Sequence, residues 1–315
     1  MLRFLARRLI GLLFVLFSIT FITFIIGHLA PGDPIRVLLG NRQDDALYNR
    51  LRHLYGLDLP WTQQYVSYID NLLHGNLGYS FRYQGRAVAD IMASGVPISF
   101  GLGLAALLVS VLIGIPVGIM AALRQNSILD WGVMGVMLAL YSIPSFVLIP
   151  IAWAVNDFSH NHGGPSLPVA GWGTPRHWIL PVLILAAASI GYIARLTRFS
   201  MLEVLRQDYI RVAFSKGLRA RGVYLGHAFR NALLPLLTVI GPSVAFLVTG
   251  AFVVENLFAV PGIGYLAVQA IGQRDYPVVQ GTTVILAVAV VAMNFLTDIA
   301  YTVADPRVRL DAHNE

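Results

Sequence analysis

The stretch RVAFSKGLRARGVYLGHAFRNALLP, residues Arg211 to Pro235, lies between two strongly apolar runs, and how it is read decides the fold. Its cations are Arg211, Lys216, Arg219, Arg221 and Arg230, joined by His227, and Lys216 is the sole lysine of the chain. Gly217 and Gly222 are read as interrupting a helix that enters from Tyr209. Glycine at 217 permits a positive φ, at which a chain can reverse. Helical spacing then resumes, with Val223, His227 and Arg230 on one side and Leu225, Phe229 and Leu233 on another. The expectation is a helix–turn–helix knuckle, basic at its tip, projecting from a membrane. A loop that only sets topology needs a few arginines near span ends. It does not need small side chains, Ala213 and Ser215, ranged beside a glycine.

The flanking sequence is of membrane type. Hydrophobic residues make up 57% of the chain and charged residues only 12%, with a mean hydropathy of +0.68. Six stretches approach or exceed the ~20 apolar residues that a helix needs to cross a bilayer. They run over about Leu9–Ala30, Ile98–Leu123, Trp131–Val155, Ile179–Thr197, Leu233–Val254 and Val278–Val303. The first imitates a signal peptide, but its apolar run, Leu9 to Ile26, exceeds the ~7–15 residues of a signal's apolar core, so it reads as an uncleaved helix.

The net charge of +6 is carried almost entirely by arginine. In a membrane chain such an excess reports topology before it reports nucleic acid, and no nucleic-acid partner is expected. Arg3, Arg7, Arg8, Arg124, Arg195, Arg198, Arg206, the cations of the quoted stretch, Arg307 and Arg309 share one side. Most of the cations opposite lie in the long loop Pro31–Pro97, where the positive-inside rule has little force. Both termini and the knuckle are therefore expected on the cytoplasmic side of the membrane. In the external loop, Leu47, Leu51 and Leu54 share a helical face that ends at Gly56. A second helix, begun by Pro60, aligns Val66, Ile69 and Leu73. The chain thus divides into a first span (1–30), an external loop (31–97), a five-helix core (98–303) that carries a cytoplasmic loop at about 198–232, and a tail (304–315).

Several chemistries find no support. With no cysteine, disulfides, zinc thiolates and thiol nucleophiles drop out. Lys216 is followed by Gly217 and Leu218, so no G-x-x-x-x-G-K-[ST] phosphate loop exists and the chain is not expected to be an enzyme. His160 and His162 read as solvated loop residues rather than metal ligands. Asn294 and Asp298, four apart in the last span, share a face. A carboxylate there reads either as the partner of an arginine or as a proton relay.

"YIRVAFSKGL" followed by "HAFRNALLP" resembles the dipeptide/oligopeptide-type permease subunits of ATP-binding-cassette (ABC) importers. Import permeases in general carry Glu-Ala-Ala, three residues, then Gly in their cytoplasmic loop. Counting back from Gly217 puts Arg211, Val212 and Ala213 in the first three places. The missing glutamate departs from the general motif, and the departure resembles the peptide-type branch. The resemblance continues through "LAPGDP" (Leu29–Pro34), "GLDLPWTQQYVSYIDNLLHGNLGYSF" (Gly56–Phe81), "YSIPSF" (Tyr141–Phe146), "ENLFAVPGIGYL" (Glu255–Leu266), "RDYPVVQG" (Arg274–Gly281) and "DPRVRL" (Asp305–Leu310).

The resemblance implies an all-α membrane protein of six transmembrane helices with the type I importer permease fold and a small external helical insertion after the first helix. It would work with a second, homologous permease subunit, two cytoplasmic ABC ATPase subunits, an external substrate-binding protein and membrane lipid. The chain itself would bind no cofactor; ATP and magnesium would sit on the ATPases. Arg211, Ala213, Ser215, Lys216, Gly217 and Arg219 would meet the ATPase as a coupling helix. For the translocation pathway, prolines and polar groups inside spans point to Ser142, Pro144 and Ser145, and to Ser243, Thr249 and Glu255, against ordinary helix packing as the alternative. A proton-coupled transporter relying on Asp298, a membrane-anchored assembly protein, and the same permease serving nickel chelates, glutathione or oligosaccharides are the rival readings.

Overall fold

The computed structural model describes residues 2–29, 32–39, 44–83, 85–233, 235–236 and 251–304, with side chains placed for 10–29, 32–36, 38–39, 44–83, 85–233, 235–236 and 251–295. The described residues are helical, apart from connections and an isolated antiparallel bridge between Tyr79 and Ala87. In chain order the helices are α1 (Leu2–Leu29), α2 (Pro34–Leu39), α3 (Asp45–Leu54), α4 (Trp61–Leu73) and α5 (Val88–Leu123). Next come α6 (Ile128–Ser142), α7 (Ser145–Asn161), α8 (Arg176–Leu205), α9 (Asp208–Ser215) and the short α10 (Ala220–Gly222), continued by a π-helical turn, Val223–Ala228. Residues 251–257 form α11. They are followed by α12 (Ile263–Gln273) and α13 (Tyr276–Ala304).

Among the described residues, Ile10–Leu29, Val88–Leu123, Arg176–Leu205 and Tyr276–Phe295 are long and apolar enough to cross a membrane. The expected fifth span lies outside the described residues at 234 and 237–250. The expected third span is not one straight helix: α6 and α7 meet at 114°. Pro144 has no N–H to continue the ladder of α6, and it forces Ile143 into extended backbone at φ −81, ψ 121. Pro144 then starts α7, whose Val147 N–H donates to the Pro144 carbonyl at 2.9 Å. With 15 and 17 residues, neither arm alone covers ~30 Å of hydrocarbon. α5 begins at Val88, before the expected span start at Ile98. α8 runs past Thr197 to Leu205.

The chain forms two compact units, Met1–Ser99 with Pro261–Val291 and Phe100–Val260 with Ala292–Glu315. In the first unit, α4 leans on α1 through aromatic rings. Tyr65 packs on Phe17, Phe21 and Phe24 with centroids 5.1–6.2 Å apart, and Tyr68 stacks on Phe24. The expected apolar stripe of α4 is not its packing face, since Val66 and Leu73 are exposed. Buried aromatic area outweighs aliphatic periodicity here because each ring brings more surface. α3 follows the sequence more closely. Asp44 caps it by accepting from Leu47 N–H at 3.0 Å, Leu51 is buried, and Gly56 ends it at φ +65. Leu54, however, points outward. Asp33 accepts from the N–H of Ile35 at 2.8 Å and from the Tyr48 hydroxyl, locking α2 to α3.

A second polar anchor lies in this unit. Asp275, 2% exposed, accepts from the Phe81 N–H at 3.0 Å, the Arg82 N–H at 3.3 Å and the Ser80 hydroxyl. It thereby holds residues 80–82 against the α12–α13 junction. Ser99 joins the same unit by accepting from the Ile263 N–H at 2.8 Å, at the first turn of α12.

In the second unit α8 is the central helix, burying Leu180, Ile184, Ile190, Ile193, Ala194 and Met201. Its neighbours come close enough to exclude side chains. A Cβ on Gly191 would fall 2.3 Å from the Met137 carbonyl oxygen of α6, and one on Gly118 of α5 would fall 2.4 Å from that of Ala194. Small residues permit this backbone approach between spans, where water supplies no driving force for association.

Candidate functional site: the knuckle at the end of α8

α8 stops at Leu205, and Gln207, extended at φ −72, ψ 146, redirects the chain into α9. Asp208 in the first turn suits the positive end of the new helix. α9 turns Ile210 and Ala213, one helical turn apart, inward. Its end is closed by Lys216 N–H to the Val212 carbonyl at 3.0 Å and Gly217 N–H to the Phe214 carbonyl at 2.9 Å. Gly217 sits at φ +77, and a Cβ there would meet nothing within 4 Å. Backbone conformation, not crowding, therefore selects glycine.

The return limb corrects the sequence reading. Gly222 does not break a helix: it is helical at φ −66 and leads into the π turn. The π turn accommodates an extra residue, so Val223 and Ala228, five apart, are both fully buried, as is Ala232. Leu225 and His227 consequently face outward. Val223, Ala228 and Ala232 close with Ile210 and Ala213 on Ala122 of α5 and Met201 of α8, flanked by Ile119, Leu202 and Phe229. Full burial of Ile210, Met201 and Val223 stabilises this seat by ~1.5–3 kcal/mol each. Asn231 Nδ2 donates to the Tyr209 hydroxyl at 2.8 Å, tying the two limbs together. The ring of Phe214 meets that of Tyr224 edge-on at 5.9 Å.

An ion pair beside this seat was not anticipated from the sequence. Arg198 of α8 donates from Nε and Nη2 to Asp130 at 2.7 Å each, in the fork geometry that suits a carboxylate. Asp130, 2% exposed, also accepts from the Asn126 N–H at 3.0 Å, while its own N–H donates to Ser127 Oγ at 3.1 Å. The α5–α6 turn, with Asn126 at φ +63, is thus fastened to α8. A signal was available: Ser127-Ile-Leu-Asp130 ahead of an apolar run is a helix-start pattern. The arginine that it meets is 68 residues away.

Of the residues singled out for coupling, Arg211, Ser215, Lys216, Gly217 and Arg219 are exposed on the knuckle. Arg211 lies 3.5 Å from Asp208, and Ser215 Oγ donates to the Arg211 carbonyl at 3.1 Å. Ala213 differs. At 8% exposure it belongs to the packed seat beneath the knuckle, where its small size lets α9 approach α5 and α8. The exposed face adds apolar groups, Val212, Phe214 and Leu218, among Arg211, Lys216, Arg219 and Arg221. Apolar surface ringed by cations on a rigid support can dock a partner with an acidic rim.

Ser142 and Pro144 are exposed at the α6–α7 bend and Ser145 is half-buried, whereas Glu255 in α11 is fully buried. Ser243 and Thr249 lie outside the described residues, as does the side chain of Asp298; Asn294 is exposed. His160 and His162 belong to the end of α7 rather than to a loop, and His162 Nδ1 lies 2.8 Å from the Phe158 carbonyl.

Comparison with known proteins matches this architecture. Residues 114–310 match the model of the binding-protein-dependent transport system inner membrane component, and residues 1–103 match that of the N-terminal part of such membrane components. The chain is 40% identical to the dipeptide transport system permease protein DppB of Bacillus subtilis (strain 168), over 98% of this chain and 99% of that one. It is 40% identical to the di/tripeptide transport system permease protein DppB of Pseudomonas aeruginosa (strain UCBPP-PA14), again over 98% and 99%. To the dipeptide transport system permease protein DppB of Escherichia coli (strain K12) it is 37% identical, with the same coverage. Among solved structures, a chain of the inward-facing MetNI methionine ABC transporter superposes with a TM-score of 0.56 at 19% identity, covering 68% of this chain and 96% of that one. That likeness bears on the fold alone and agrees with the type I permease architecture. An all-helical chain with several apolar spans, matched along nearly its whole length, belongs to the binding-protein-dependent transport system inner membrane components, the membrane-embedded permease family of ABC importers.

Proposed function

We propose that this chain is a permease subunit of an ATP-driven importer of di- or oligopeptides and forms half of the translocation pathway. The carrying observation is the near full-length similarity to chains named as dipeptide and di/tripeptide permeases. The knuckle supports a division of labour in which this chain performs no chemistry. Its exposed cations and apolar groups dock on an ATPase subunit, and its buried side is cemented to α5 and α8. Movement of the ATPase on nucleotide closure then displaces the ends of two helices rather than a loose loop.

The full assembly in this reading contains a second, homologous permease, two cytoplasmic ATPases that bind ATP and magnesium, and an external substrate-binding protein. Both termini and the knuckle are cytoplasmic. Arg211, Lys216, Gly217 and Arg219 form the contact surface, Ser215 secures the last turn of α9, and Ala213 supports it from beneath. Purification of the tagged chain from its own membranes should bring down an ATPase and a second permease in fixed proportion. Reconstituted with the binding protein, that complex should take up dipeptides only when ATP is supplied. Peptide uptake by the chain alone, driven by a proton gradient, would sink this reading.

A further inference from the structure

Between the C-terminal turns of α1 and the α12–α13 corner lies a groove of about 310 Å³, of the same order as the ~300 Å³ lower end of ligand pockets. Its floor is apolar, from Ile26, Gly27, Ile271 and Val279, and its rim carries Arg274 and Tyr276. Ile26 and Ile271 are each 62% exposed, so the floor opens sideways to whatever surrounds α1. Two rim groups lack partners among the described residues. The Tyr276 hydroxyl is buried and makes no hydrogen bond. The Arg274 guanidinium forms no ion pair or hydrogen bond and lies over Gly32, where a Cβ would fall 1.7 Å from Nη1. Arg274 itself is held at φ +56, a backbone conformation uncommon for a residue with a side chain.

The geometry points to a phospholipid site in the leaflet that α1 reaches with its C-terminal end. One acyl chain lies along Ile26, Gly27 and Val279, and the phosphodiester accepts from the Arg274 guanidinium. The depth agrees, since these residues stand where two membrane helices, α1 and α13, end and begin. Arginine is a side chain whose length lets it reach a headgroup from such a position. A phosphodiester also matches the charge of an arginine that has no ion-pair partner among the described residues. Gly27 leaves the groove open: a Cβ there would stand 3.6 Å from the Tyr276 ring, in ordinary contact, so larger side chains enter the groove without straining the backbone.

The test uses the full chain in proteoliposomes that contain trace phosphatidylglycerol or phosphatidylethanolamine bearing a photoactivatable diazirine on one acyl chain. Diacylglycerol with the same diazirine is the control. Either phospholipid should label the peptides containing Ile26 and Val279 above the general labelling of α5, and diacylglycerol should not. Arg274→Gln should reduce that excess about tenfold, the scale of a lost charge-assisted hydrogen bond, and Gly27→Leu, which fills the groove, should reduce it as well. Arg274→Lys should retain most of it, and unchanged gel-filtration profiles will show that the variants are folded. Equal labelling by diacylglycerol overturns the site, as does undiminished labelling of a folded Arg274→Gln. Absence of the excess in the wild type, as when a partner chain covers the groove, overturns it as well.

Discussion

Valine at Gly217 separates docking from transmission. The glycine sits at φ +77 with no atom near the place of a Cβ, so substitution acts through the backbone alone. A left-handed conformation costs an ordinary residue roughly 1–2 kcal/mol, a β-branched one about 2 kcal/mol or more, and asparagine less. Two kcal/mol reduces the fraction of molecules holding the native turn relative to a relaxed one by about 30-fold. The fold survives that loss. Ile210 and Ala213 anchor the limb before the glycine, and Val223, Ala228 and Ala232 anchor the limb after it. Strain therefore collects between Lys216 and Arg219, the exposed tip. The assembled transporter in proteoliposomes should be assayed for ATP hydrolysis and ATP-driven uptake on the same preparation. Gly217→Asn should behave nearly as wild type and Gly217→Ala should lose part of its uptake. Gly217→Val should hydrolyse ATP while uptake falls by about 30-fold, if the native turn alone transmits the stroke. Wild-type uptake by Gly217→Val refutes the reasoning. Failure of asparagine as complete as that of valine refutes the backbone argument and leaves close approach by the ATPase as the reason for glycine.

Three further outcomes follow from the anchors. Arg198→Ala strands the buried Asp130 carboxylate and should destabilise the protein by ~3–5 kcal/mol. Asp130→Ala leaves a guanidinium that is 27% exposed and should cost less, and the double change to Leu and Met should cost less than Arg198→Ala, read from thermal unfolding in detergent. Asp275→Ala removes three hydrogen bonds to residues 80–82 and should raise amide exchange in that segment about 100-fold while exchange in α8 stays unchanged. For Asp33, burial raises the carboxyl pKa, but hydrogen bonds from Tyr48 and the Ile35 and Arg36 N–H groups outweigh it and hold the value below normal. Its contribution is therefore present above the unfolded pKa and lost as pH falls through the lower folded value. Exchange at α2 and α3 should rise below about pH 4 and stay flat from pH 7 to 5, and Tyr48→Phe should shift the onset upward.

How far the sequence could be read depended on the range of the physics at each point. The knuckle was legible because its cause is local: a glycine that must take positive φ, flanked by short helical patterns. The cap of α3 at Gly56 was legible for the same reason. The break at Pro144 was visible as a helix-breaking proline, but the 114° between its arms was not, because packing sets that angle. The face of α4 was misjudged because periodicity counts aliphatic residues and cannot say that Phe17, Phe21 and Phe24 of α1 stand ready for Tyr65. Ala213 was assigned outward from its place in a motif, and its 8% exposure follows from contacts with Ala122 and Met201 that spacing does not encode.

Composition and periodicity by themselves determined an all-helical membrane chain and the place where the knuckle turns. These properties depend on transfer from water and on backbone sterics, both of which act within a few residues. Only the tertiary structure decided which side of the knuckle is seat and which is surface. One extra residue in the π turn changes the inward register from Val223 to Ala228. It also decided that Asp130 meets Arg198 and that Asp275 holds residues 80–82, at separations of 68 and up to 195 residues. Such pairs exist only after packing has brought distant helices together and has made an unpaired buried charge too costly to leave.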